Sequence, residues 1–122
     1  MLFYDFEVFS HDWLVVILDM DAQKEHVIIN DEEQMRDFYE QQNDIWVGFN
    51  SRYYDQYILK SILLGLSPKQ CNDWIILKGR DGWQFSSAFN RIPLNNYDVM
   101  QGIDRGLKVF EGFMGNDIRE SS

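Results

Sequence analysis

Apolar positions along this chain recur first at strand spacing and then at helix spacing. Residues 2–9, LFYDFEVF, are rich in Phe, Tyr and Val and have the length of a strand. Side chains alternate across a strand, so Phe3, Asp5, Glu7 and Phe9 share one face and Leu2, Tyr4, Phe6 and Val8 the other. SHD (10–12) reads as a turn and DWLVVILDM (12–20) as a second strand, apolar on both faces. DAQKE (21–25) is a polar turn, and HVIIND (26–31) a third strand. Tight turns between three successive strands predict an antiparallel meander.

At residue 31 the period changes. DEEQMRDFYEQQ (31–42) opens with acids, which suit a helix N-terminus, and carries Met35, Phe38 and Tyr39 on one stripe. IWVGF (45–49) is a fourth strand. A strand–helix–strand crossing makes it parallel to a strand already in the sheet. NSRYYDQYILKSILLG (50–65) predicts a helix with Asn50 and Ser51 as capping residues, a stripe of Tyr54, Ile58 and Ile62, and a stop at Gly65. SPKQCNDWIIL (67–77), opened by Ser-Pro, predicts another helix. Residues 78–91 read as a loop with room for a short strand at WQF (83–85). IPLNNYDVM (92–100) returns to strand character, and LKVFEGFMG (107–115) is a last helix stopped by Gly115. This order implies one α/β domain over residues 1–122, with a mixed five-stranded sheet and helices on both faces. The first strand would lie at the centre beside the fourth, where ligands of α/β sheets bind.

An apolar content of 45% with two prolines fits a folded domain rather than disorder. WLVVIL (13–18) is too short to cross a bilayer, and acids at positions 5, 7 and 12 do not read as a secretory signal. Cys71, the sole cysteine, excludes an intrachain disulfide and a C-x-x-C metal site and suits a reducing cytoplasm. With no base beside it in sequence, it reads as an inert thiol. His11 and His26 are isolated and do not read as ligands. The net charge of −9 argues against a nucleic-acid partner until its distribution is considered. Residues 1–50 carry two basic and twelve acidic side chains, whereas residues 51–91 carry six and three. That basic middle could meet phosphates or could be a solvated surface. The four tryptophans suit the core, although Trp83, in the basic loop, could stack on a base.

The candidate chemistry lies in the acids. Asp5 and Glu7 on one face of an apolar strand oppose each other's ionisation, and burial opposes it further. A divalent cation removes both penalties, and carboxylate oxygens suit Mg²⁺ or Mn²⁺. The alternative is an edge strand with its acids in water. If the first and fourth strands are neighbours, Asp55, about one turn into the helix after Asn50, can reach the same pair.

DFE (5–7) resembles the first motif, D-x-E, of the DEDD (DnaQ-like) 3′–5′ exonuclease superfamily. NSRYYD (50–55) resembles its second motif, N-x-x-x-F/Y-D, in the form found in proofreading domains of family B-like DNA polymerases of phages and prophages. The resemblance implies an RNase H-like fold and two-metal hydrolysis of phosphodiesters, with ions roughly 3.5–4 Å apart. It implies Asp5, Glu7 and Asp55 as catalytic residues and metal ligands. Phe9, Asn50, Arg52 and Tyr54 would contact or flank the strand, with Phe9 stacking on a base. The implied partners are a single-stranded DNA 3′ end and the polymerase domain of a parent protein. The implied setting is the cytoplasm of a phage-bearing bacterium. The family's later motif, Y-x-x-x-D or H-x-x-x-D, has no match here. An N-terminal fragment or truncated product is therefore expected. A catalytically incomplete remnant that binds nucleic acid or protein without cutting is the alternative to an active nuclease. Apolar sheet surface left uncovered by a missing last helix would favour self-association. Asp98, at the end of the fifth predicted strand, is read as structural.

Overall fold

The computed structural model describes residues 1–42 and 44–100. Within them, strands β1 (Leu2–Val8), β2 (Trp13–Asp19) and β3 (Lys24–Ile29) precede helix α1 (Glu32–Gln41). Strand β4 (Trp46–Gly48), helices α2 (Asp55–Leu63) and α3 (Pro68–Ile76), and strand β5 (Asn96–Asp98) follow. The sheet order is β3-β2-β1-β4-β5. β1 is antiparallel to β2, β2 to β3, while β4 runs parallel to both β1 and β5. The meander, the parallel fourth strand and the central position of β1 agree with the sequence pattern.

The β1–β2 register pairs Tyr4 with Ile17 and Phe6 with Val15, so the even positions of β1 and the odd positions of β2 share a face. On that face Leu2, Tyr4, Phe6, Trp13, Val15, Ile17, Ile28 and Trp46 pack against Met35 of α1, Ile58, Leu59 and Ile62 of α2, and Cys71 of α3. Tyr4 meets Trp46 edge-on at 5.3 Å, and its hydroxyl donates to Asn96 Oδ1 at 2.7 Å. Helices were expected on both faces. Among the described residues they pack on this one, and the opposite face leaves Leu18, Val27, Ile29 and Tyr97 exposed. The helix predicted over 107–115 lies outside the described residues.

Local chemistry sets the element boundaries. Asp31 caps α1 by accepting the Gln34 N–H, and Ser67 caps α3 by accepting that of Gln70, with Pro68 at the first helical position. Past α2, Gly65 takes φ +76° while Leu66 N–H bonds Ser61 O and Gly65 N–H bonds Ile62 O, a Schellman closure. The third strand starts two residues earlier than its apolar pattern suggests, because Asp19 Oδ1 accepts the N–H groups of Asp21 and Ala22 and tightens the hairpin. The short strand expected at Trp83–Phe85 does not form. That stretch holds two 3-10 turns, Gly82–Gln84 and Ser87–Arg91, the second begun by Ser86 Oγ accepting the Ala88 N–H. The fifth strand shrinks to three residues, since Pro93 has no N–H to give and its carbonyl is taken by the Tyr39 hydroxyl.

Candidate functional site

β4 pairs with β1 only at Leu2 and Phe3, and the two strands part beyond that point. Gly48 ends β4 where no side chain fits: a Cβ there would stand 2.5 Å from Ser51 Cβ and 3.3 Å from the Tyr4 carbonyl oxygen. Asn50 then takes φ +63°, a left-handed conformation that Asn tolerates, and the chain turns back toward β1. Asp98, fully buried at the end of β5, holds this turn. Its Oδ1 accepts the N–H groups of Asn50 and Met100, each at 2.9 Å, and its Oδ2 that of Arg52 at 2.9 Å. The structural role expected of Asp98 is thus explicit.

The same turn corrects the helix start. The sequence pattern placed it at Asn50–Ser51 and put Asp55 one turn inside. The left-handed Asn50 and the grip of Asp98 on two N–H groups keep residues 50–54 out of the helix, and Asp55 is its first residue. Asp55 is only 3% exposed. Beyond Phe3 the edge of β1 has no strand beside it, and Asp55 Oδ1 accepts the orphaned Phe6 N–H at 3.0 Å. Burial pushes the Asp55 carboxyl up to about 8; the Phe6 N–H opposes this, and the charges of Asp5 and Asp98 add to it. Asp5 is itself pushed up, first by desolvation and then by Glu7. Acidic groups from β1, α2 and β5 therefore act on one another where β1 and β4 separate.

Asp5 and Glu7 lie on the sheet face away from the core, opposite Val16 and Leu14 of β2. Asp5 is exposed and Glu7 half-buried. Among the described residues, no three His, Cys, Asp or Glu side chains are gathered closely enough to hold an ion as they stand. The donor set nevertheless fits a hard divalent ion, being all oxygen. Oδ2 of Asp55 is not the atom engaged by Phe6.

Phe9 lies just past β1 and is exposed. Asn50 and Arg52 are exposed on the turn, and the Arg52 guanidinium lies 5.4 Å from the centre of the Tyr53 ring. Tyr54 is half-buried beside Asp55; its hydroxyl donates to Asn72 Oδ1 of α3 at 2.5 Å, and burial followed by the Asp55 charge raises its pKa. The Cys71 thiol is buried and pushed up to about 12 by that burial, so it stays protonated near neutral pH. An open cavity of about 610 Å³ lies at the far end of β1, lined in part by Phe9, His11, Trp13, Asn30, Leu66 and Lys69, and contains none of the three acids.

Two partnerships were not visible in the residue pattern. Asn72 and Asn96 hold the hydroxyls of Tyr54 and Tyr4, and isolated asparagines carry no spacing signal. The sequence pattern suits Trp83 to the core, but it stands out in solvent on the Gly82–Gln84 turn because Gly82 packs against Tyr57. In comparisons with known proteins, no protein-family model, no curated protein and no solved structure matches the chain.

Proposed function

We propose that this chain is a metal-dependent 3′–5′ exonuclease domain of RNase H-like fold, acting on single-stranded DNA ends as the proofreading part of a phage DNA polymerase. The observation that carries the reading is the buried Asp55 at the first position of α2, locked to β1 at Phe6 and electrostatically linked to Asp5. A buried acid set against another acid is a costly arrangement that a bound cation relieves. The strand order, with β1 central and D-x-E upon it, supports the same reading. Asp5, Glu7 and Asp55 would hold Mg²⁺ or Mn²⁺, which would supply a polarised phosphate and an activated water. Phe9 and Asn50 would position the terminal nucleotide, with Arg52 and Tyr54 flanking it. In the chain itself, Asp98 orients the Asn50–Arg52 turn, and the Phe6 N–H orients Asp55.

A second reading is a remnant that binds a DNA end, or a protein, without cutting it. It is favoured by the absence of a three-ligand group among the described residues. One experiment separates the two. Labelled single-stranded DNA is incubated with the protein and Mn²⁺, with Asp5→Ala as control. Stepwise shortening that the variant loses is the result expected of the nuclease. Binding without shortening supports the remnant.

A further inference from the structure

The acids of the candidate site leave unexplained a basic and aromatic patch at the C-terminal end of α3. Here Lys78 Nζ and Arg80 Cζ lie 5.5 Å and 5.0 Å from the centre of the Trp74 ring. Both side chains are exposed, and among the described residues the ion pairs are those of Met1 with Asp21 and Asp44, and of Lys69 with Asp73. Among the described residues neither Lys78 nor Arg80 forms an ion pair, although the Lys78 charge is one of the smaller influences that lower the Asp73 pKa. Two carboxylates lie near: Asp73, held by Lys69 at 2.5 Å, and Asp81, whose backbone carbonyl accepts the Trp74 indole N–H at 2.9 Å. Trp83, two residues further on, is 59% exposed.

The loop that presents these groups is tied down at several points. Lys78 N–H bonds Asp73 O and Arg80 N–H bonds Trp74 O, with Gly79 at φ +63° making the reversal between them. A Cβ on Gly82 would stand 2.2 Å from the Tyr57 ring, so the turn sits flush on that ring and its next residue, Trp83, is directed outward. Trp83 is a large aromatic held out in water on a tethered turn, in the same loop as two cations that lie over the Trp74 ring. Its ordering cost is already met before any ligand arrives.

We propose that Trp83, Lys78 and Arg80 form a landing platform for single-stranded nucleic acid, with a base stacked on Trp83 and adjacent phosphates drawn to Lys78 and Arg80. The combination of an exposed π-face and two solvent-exposed cations outside any ion pair among the described residues matches what unpaired bases on a charged backbone require. It accounts for a basic segment in a chain of net charge −9, whose remaining acids would repel the strand elsewhere. The platform deepens the nuclease reading by locating where the strand lies before its end reaches Asp55. Asn72, which holds the Tyr54 hydroxyl, and Ile76 at the end of α3 are four residues apart, about 6 Å of helix rise.

The test measures fluorescence anisotropy of a labelled twelve-residue oligothymidylate, about one binding-site length. EDTA is present, so hydrolysis cannot contribute. Trp83→Ala is expected to weaken binding about tenfold, and Trp83→Phe to stay within about threefold of the wild type. The double variant Lys78→Gln/Arg80→Gln is expected to weaken binding and to flatten the slope of log affinity against log salt by about 1.4. Circular dichroism checks that each variant is folded; none of the three side chains is in the core. Unchanged oligonucleotide affinity in Trp83→Ala overturns the platform. So does binding to anionic phospholipid vesicles that the variants lose while oligonucleotide binding persists. Because no metal is present, an inactive protein that passes this test refutes the nuclease reading alone. Shortening in Mn²⁺ without any effect of the three substitutions on binding refutes the platform alone.

Discussion

Asp55→Asn is the most informative single change. The amide keeps the size of the side chain and an oxygen to accept the Phe6 N–H, but it removes the ionisable group. In the folded protein the Asp55 carboxyl titrates near 8, against an ordinary value of 3.8. The folded state therefore holds a proton that the unfolded chain has released, and stability falls as pH rises through that interval. It is fully present below the ordinary carboxylate range and is lost by the time Asp55 ionises. Between pH 5 and pH 7.5 the wild type should lose on the order of 3 kcal/mol from this one group, at about 1.4 kcal/mol per pH unit. Asp55→Asn has no such proton to lose, so its stability relative to the wild type should climb by that amount over the same interval. Other carboxylates titrate in both proteins and largely cancel in the comparison. Urea denaturation in EDTA at half-unit pH steps measures the difference. Repeating it at saturating Mn²⁺ should restore the wild type, by about 2.7 kcal/mol at a concentration one hundred times the dissociation constant, and leave the variant unmoved. A stability difference that is flat from pH 5 to pH 7.5 would refute the argument that burial sets the Asp55 pKa. Equal Mn²⁺ stabilisation of both proteins would refute its role as a ligand.

Two further changes probe the frame around the site. Asp98→Ala strands the N–H groups of Asn50, Arg52 and Met100, and a thermal or urea melt should show a loss on the order of 4 kcal/mol, with Asp98→Asn losing less; a loss under about 1 kcal/mol would mean water or rearrangement replaces the carboxylate. Gly65→Ala adds a Cβ that meets nothing within 4 Å, so its cost should be only that of the left-handed backbone, about 1 kcal/mol, and Gly65→Asn should recover part of it.

What the chain determines locally was legible from residue order. Alternation in LFYDFEVF assigned Asp5 and Glu7 to one face of a strand, and the β1–β2 register keeps them there. The acidic cap at Asp31, the Ser67-Pro68 start and the Gly65 stop each act through their own few neighbours, so composition and spacing suffice to find them. The antiparallel meander followed from turn lengths, and the parallel β4 from the connection rule. Partnerships between distant segments were not legible. Asp98 reaches back 48 and 46 positions to Asn50 and Arg52, and that grip, with the left-handed Asn50, moves the start of α2 to Asp55. Asp55 reaches back 49 positions to Phe6, an acceptor required only because β4 leaves β1 after two paired residues. The raised pKa of Asp55 likewise depends on what surrounds it rather than on its neighbours in the chain. Helix caps and strand faces are decided over one turn or one pleat, where sequence distance and spatial distance agree. The site is decided by which backbone groups the sheet leaves unpaired, and that is settled only when the strands have met.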